Sequence, residues 1–401
     1  MTGIQITKKL IYQLFLLLIL VLPNVLGLRE IKAALIVFII LTFVFDKFYA
    51  VSERRFLILL SAYVLLSGIS IFLGLLSTNN DFVVFVFISY IGGPLFWTFF
   101  LSIYIKKIGL RSLVSTIFFG GILAALLIIF YYVLFDQIPI EIKEFLIKDP
   151  NVTFLDGIPR SNINTISTLV FIVPAFICSI THINKFFIKI PMVPQSILIA
   201  FCAAVFGIAS ILSGRVALII LFVLSLIYAA TCLSLKKLTL FIALVIGSLV
   251  ILWLFDLNFY SIIQYVIEKV SDYGGGERTD QQVALLNAFF DNPILGNGHG
   301  TDVWIIRNEE KTWQYELFYH AILFHSGLIG FFSFFSLVLY SLWITIRKLN
   351  KYPEIMRFVV FGSLGILFAT YTNPYIEGFE SQWMLTLPWA IALTKIRDIK
   401  I

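Results

Sequence analysis

Apolar residues run along this chain in unbroken blocks, not in alternation. Blocks of about 17–25 residues rich in Leu, Ile, Val and Phe match the length a helix needs to cross a hydrocarbon core of about 30 Å. A barrel strand would instead alternate apolar and polar positions. The pattern predicts an all-α, polytopic membrane protein with about twelve transmembrane helices, near 10–27, 31–45, 56–76, 82–105, 113–135, 162–183, 196–212, 216–235, 238–255, 316–346, 358–372 and 383–394. No repeat, low-complexity tract or linker divides the chain, so 1–401 reads as a single transmembrane domain. Two sizeable polar loops remain, 136–161 and 256–315.

Basic residues set the orientation, because Lys and Arg are retained on the cytoplasmic side of short loops. Nineteen of the 29 basic residues, among them Lys8, Lys9, Lys106, Lys107, Arg347 and Lys348, fall on one side of this map, with only four of the 23 acids. An even number of spans then puts both termini in the cytoplasm and both large loops on the outer face. The net charge of +6 therefore reflects topology and gives no reason to expect a nucleic-acid partner. A mean hydropathy of +0.98 and 60% hydrophobic residues agree with a bilayer as the solvent. Cys178, Cys202 and Cys232 sit inside apolar blocks without metal or redox spacing, as small buried hydrophobes do. No small-residue cleavage site follows the first apolar block, so it is read as a retained span.

The loop 256–315 carries most of the polar chemistry. Gly274, Gly275 and Gly276 read as a hinge, since a phosphate-cradling loop would need a preceding strand and a Lys. A helix should follow, capped by Thr279 or Asp280, striped by Val283, Leu285, Leu286, Phe289 and Phe290, and ended at Asn292–Pro293. It would lie on the membrane surface or against the bundle, with Arg278 at its entrance. Pro293–Gly300 is turn chemistry that folds the chain back toward the next span, and its glycine spacing is too loose for a nucleotide site.

Arg215 stands between two apolar blocks. It is either a turn residue reaching the headgroups or a cation aimed into an outward cavity to hold a phosphate in bidentate fashion. Glu316 is read as opening a span, with His320 four residues on along the same helical face and His325 pointing elsewhere. Glu316 is either a first-turn acid favoured by the helix dipole or a general base at an apolar boundary, and His320 is either a buried, hydrogen-bonded imidazole or a second proton acceptor. Arg160 closes the first outer loop, where Asn162 or Asn164 can cap the following helix. Three arginines and one carboxylate facing one compartment suit a polyanionic, lipid-linked substrate. No zinc-protease motif, calcium-type carboxylate cluster or serine nucleophile elbow is present, so neither a metal nor an acyl-enzyme is indicated.

In this order the residues resemble the O-antigen polymerase and ligase superfamily of integral membrane glycosyltransferases. The matching features are Arg160–Asn164, Ser213–Arg215, Arg278 ahead of an amphipathic helix, Asn292–Gly298, and Glu316 leading to Gly327–Gly330. The resemblance implies that Arg215 and Arg278 grip the diphosphate of an undecaprenyl-diphosphate-linked oligosaccharide, with Arg160 and Asn164 also at the substrate. Glu316-Leu317 stands where the ligase branch has His-Asn, which favours a polymerase, with Glu316 or else His320 deprotonating the acceptor hydroxyl. It further implies transfer without metal or cofactor at the outer face of a bacterial inner membrane, a lateral cavity where Trp304, Trp313 and Tyr315 stack on sugars, and a chain-length regulator as a candidate protein partner. A ligase, or a lipid-linked oligosaccharide flippase, are the competing readings.

Overall fold

The computed structural model describes residues 3–25, 28–45, 54–77, 83–146, 152–155, 158–161, 163–180, 195–232, 264, 266–268, 275–305, 311–395 and 399; the span predicted at 238–255 lies outside them. Its helices are α1 (Gly3–Val21), α2 (Arg29–Phe45), α3 (Arg54–Ser77), α4 (Val83–Phe87), α5 (Gly93–Lys107), α6 (Leu110–Val133), α7 (Ile140–Leu146), α8 (Ile166–Ser179), α9 (Gln195–Leu212), α10 (Val216–Cys232), α11 (Gly275–Asp291), α12 (Phe318–Leu349), α13 (Pro353–Thr370) and α14 (Trp383–Leu393). Within the described residues, each predicted span other than 238–255 falls on one of these helices, except 82–105, which covers α4 and α5. Five described stretches, Arg54–Ser77, Val83–Lys107, Leu110–Val133, Phe318–Leu349 and Pro353–Thr370, are long and apolar enough to cross a bilayer. The chain is a multi-pass helical membrane protein. Leu65, Phe72, Leu76, Phe332 and Leu339 stand exposed on these helices, as lipid-facing residues do.

Two expectations about the elements are corrected. α1 ends at Val21 instead of continuing to 27, because Pro23 disfavours helical backbone in the residue before it and Asn24 turns with φ 54°. The first polar loop, read only as a loop, carries elements of its own. After α7 it forms a hairpin, β1 (Val152–Leu155) against β2 (Ile158–Ser161), antiparallel, with Arg160 opposite Thr153.

α8 organises the packing. It is apolar all round and buried along its whole length, and α10 and α13 pack along it. A second wall pairs α3 with α12, and a third pairs α5 with α14. Trp97, Trp383 and Trp389 are fully buried between them. At the basic end of α12, Lys348 donates to the carbonyls of Ile391 (3.0 Å), Ala392 (2.8 Å) and Thr394 (2.6 Å), closing the end of α14.

Two irregularities interrupt the spans. Ile88–Gly92 is a π-helical turn joining α4 to α5. Gly327, with φ 61° and ψ −168°, breaks α12 into two helical pieces. Both lie where the chain builds its polar centre.

Candidate functional site

The break in α12 is filled by the chain itself. Asn292 and Pro293 end α11, and residues 293–298 then run beside Gly327 and take up the hydrogen bonds the helix cannot make. The Asn297 and Gly298 amides donate to Phe324 O and His325 O, both at 2.8 Å; Leu328 and Ile329 donate back to Pro293 O (2.9 Å) and Ile294 O (3.3 Å). Asn297 Nδ2 adds a bond to Ala288 O at 2.8 Å, tying the same segment to α11. The next residue docks on α3, where His299 N–H donates to Ser70 O at 2.9 Å and Ser70 Oγ donates to His325 O at 2.9 Å. Gly74 makes this approach available: a Cβ there would lie 2.0 Å from His299 O. Gly74→Ala should therefore lower stability by about 1–3 kcal/mol through overpacking, read as a lower melting temperature of the purified protein in detergent.

α11 carries the first candidate pair. It begins at Gly275, so Gly275 and Gly276 are in its first turn instead of forming a hinge, Thr279 and Asp280 are past its cap, and Arg278 is inside it. Gln281, Ala284, Leu285 and Phe289 form its buried face, while Val283 and Phe290, two of the predicted stripe, are exposed. A cation in the first turn opposes the helix dipole. Glu316 offsets it, its Oε2 accepting from Arg278 Nε, with side chains 16% and 28% exposed. Glu316 is fixed in turn by its own N–H, which donates to Gln281 Oε1 at 3.2 Å.

Because α12 starts at Phe318, Glu316 precedes it, and Glu316 and His320 do not share a helical face as expected. His320 is half-buried, and its Nδ1 has no hydrogen-bond partner. His325, expected to point away, is fully buried at the centre of the plug. Its ring nitrogens face Gly298 O (3.0 Å) and Trp313 O (3.2 Å), so it bridges the plug and residues 311–317.

Trp313 and Tyr315 are corrected from ligand-stacking to bracing positions. Both are fully buried, and Tyr315 Oη accepts from Val303 N–H at 2.8 Å, so neither ring offers a face to a sugar. Trp304 is exposed, at 78%. Asn164 does not cap α8: Thr165 holds the N-cap place, and its Oγ1 donates to Val21 O at 2.8 Å; Asn162 lies outside the described residues. Arg160 is placed by its backbone in β2, and β2 packs against α6 and α9.

Arg215 immediately precedes α10, after the turn at Ser213 and Gly214. Ser213 Oγ accepts the Arg215 N–H at 3.1 Å, and Arg215 O accepts the first helical bonds from Leu218 and Ile219. The side chain is half-buried, and its Nε is buried without a hydrogen-bond partner. No hydrogen bond or ion pair links Arg215 to Arg278 or Glu316 among the described residues. The structure thus joins Arg278 to Glu316 and leaves Arg215 as a separate cation.

Sequence reasoning missed a second polar centre in the short segment 371–382. Glu380 there pairs with Lys32 at 2.8 Å and accepts the Asn24 N–H at 2.8 Å. Glu377 points inward at 3% exposure, its Oε1 accepting from Tyr90 Oη at 2.6 Å in the π-helical turn. Burial raises its carboxyl to about 7, against the lowering influence of Tyr90, Gln314 and Lys311. His299 stacks on Tyr90, ring centroids 3.7 Å apart, and is held well below the usual histidine range by burial and by His325. An acid between Pro374 and Gly378, flanked by two spans, was the available signal. No family model, curated protein or solved structure matches the chain, so its residues and their geometry alone carry the functional reading.

Proposed function

We propose that the protein is a surface-polysaccharide polymerase of twelve spans, acting at the outer face of a bacterial inner membrane with both termini in the cytoplasm. It transfers a growing glycan from undecaprenyl diphosphate onto the next lipid-linked repeat unit, without metal and with inversion. The observation that carries this reading is Arg278 at the start of a helix beside the bundle, oriented by Glu316. A guanidinium aimed and fixed in this way suits an oxyanion that gains charge as it leaves. Arg215, with its buried Nε unsatisfied, supplies a second cation for the same diphosphate. In the transfer, the acceptor hydroxyl oxygen bonds to the anomeric carbon, the bond from that carbon to the diphosphate oxygen breaks, and undecaprenyl diphosphate leaves with the electron pair. The hydroxyl proton passes to Glu316, and holding both lipid-bound partners in the bilayer supplies much of the rate.

The interruption of α12 is the feature a transporter would share. Here the amides of Leu328 and Ile329 and the carbonyls of Phe324 and His325 are taken by residues 293–298 and Ser70, so they are not offered to a passing ion.

Glu316→Gln should give an expressed protein with no polymer, since the amide keeps the shape and cannot take the proton. Complementation in cells lacking a polymerase or lacking a ligase is the test. A restored ladder of glycan lengths in the first strain supports the proposal; restored attachment in the second supports the ligase. Near-normal polymer from Glu316→Gln would remove Glu316 as the base.

A further inference from the structure

α11 has two kinds of exposed edge. Its buried face meets the bundle, where Leu285 packs with Leu317, Ala321 and Phe324. Of the rest, Val283, Leu286 and Phe290 recur at i, i+3 and i+7 and make one apolar stripe, with Phe290 exposed at 69%. Asp280, Asn287 and Asp291 recur at i, i+7 and i+11, make the other edge, and are all exposed. A helix at the boundary of a membrane divides its surface in this way, one edge to acyl chains and one to water.

The apolar edge does not end with the helix. Ile294 and Leu295 follow it, both exposed, and Asn292 between them and Phe290 turns its amide to Asn297 Oδ1 at 2.7 Å. The hydrogen bonds from Leu328 to Pro293 O and from Ile329 to Ile294 O lay this turn on α12 at the place where Leu328 and Ile329 are themselves exposed. Phe332 continues the exposure one turn on, within a helix long and apolar enough to cross a bilayer. The apolar edge of α11 is thereby joined to the lipid-facing side of a span. Whatever covers the join must sit beside that span in the bilayer, where acyl chains are the solvent.

We propose that the Val283–Phe290 edge of α11 and the Ile294–Leu295 turn form a lipid-contact surface, covered by the acyl chains of membrane phospholipid, while the edge of Asp280, Asn287 and Asp291 meets water. α11 is then a partition between lipid and water as well as a helix docked on α12. The contact does not depend on the reaction proposed above.

The test uses the full-length protein in vesicles of phosphatidylethanolamine and phosphatidylglycerol. With Cys178, Cys202 and Cys232 replaced by Ala, a nitroxide is attached at Phe290→Cys or Ile294→Cys, and for comparison at Asn287→Cys or Asp291→Cys. Relaxation by oxygen, which concentrates among acyl chains, is measured against relaxation by a water-soluble nickel chelate. The ratio of oxygen to nickel accessibility should be several-fold higher for the first pair than for the second. Equal ratios with nickel reaching both edges overturn the proposal and leave the apolar edge in water. Labels of the first pair shielded from both reagents also overturn it, because protein, either a second copy or another part of the chain, then covers the edge. A second readout needs no substitution. Phosphatidylglycerol with a diazirine in its acyl chain, photolysed with the wild-type protein in the same vesicles, should leave adducts on the peptide that holds Phe290–Leu295. Adducts on the long spans with none on that peptide overturn the proposal, even where the cysteine variants do not fold.

Discussion

Arg278→Ala should reduce polymer by about 10²–10³-fold while leaving the protein in the membrane and single repeat units displayed at the surface. The size follows from what the side chain does in the proposed reaction. The carboxylate of Glu316 holds one edge of the guanidinium, which fixes its direction before substrate arrives. Removing it takes away stabilisation that grows as the diphosphate departs, so rate falls more than substrate binding. Arg278→Lys keeps the charge and loses the planar fork, and should recover only part of the activity. Arg215→Ala should give the same product pattern, although the two cations are not linked by a hydrogen bond. Glycan ladders from cells expressing each variant at equal level are the measurement. A normal ladder from Arg278→Ala sinks the assignment, and loss of all outer-face glycan points to a flippase.

The largest structural effect is expected at Gly327. Its φ of 61° with ψ of −168° belongs to a region that only glycine occupies readily. An added Cβ would also lie 2.3 Å from Ile294 O and 2.6 Å from Gly296 N, both backbone atoms of the segment that fills the break. Conformational strain of about 1–3 kcal/mol adds to a clash that no side-chain rotation relieves. Gly327→Ala should therefore exceed about 4 kcal/mol, enough to leave little folded protein. Gly330→Ala would be strained by packing alone: its Cβ would lie 2.3 Å from both Cβ and Oγ of Ser326, but its backbone is helical and carries no positive φ. Folded yield by size-exclusion chromatography decides the matter, and a wild-type-like Gly327→Ala would show that the break in α12 is dispensable.

The helices were legible because a bilayer-length apolar block leaves one satisfactory backbone solution. Their irregularities were not. Gly327-Leu328-Ile329-Gly330 reads as continuous apolar helix, and nothing in its periodicity shows that residues about thirty positions earlier supply its missing hydrogen bonds. The same blindness placed Glu316 and His320 on one helical face: a helix drawn two residues too early is harmless for a span and decisive for a pair. Trp313 and Tyr315 read as ligand platforms because an aromatic in a polar loop looks available, whereas His325 and Val303 draw both inward. The Arg278–Glu316 contact spans a loop whose folding the sequence does not express, although both residues stood out singly by charge in an apolar chain. Glu377 escaped notice because its inward direction comes from a 3-10 turn, Tyr375–Glu377, that carries no motif.

The filled break in α12 also sets an order of assembly. The filling segment is synthesised just before the helix it completes, so that closure is short in sequence and cheap in chain entropy, whereas docking of His299 on Ser70 joins residues 229 apart. The upper piece of α12 can therefore satisfy its carbonyls as soon as it enters the bilayer, independently of the first spans. The break in α12 is therefore expected to close before the filling segment locks onto α3, and a stall between the two would leave helix carbonyls unpaired in lipid.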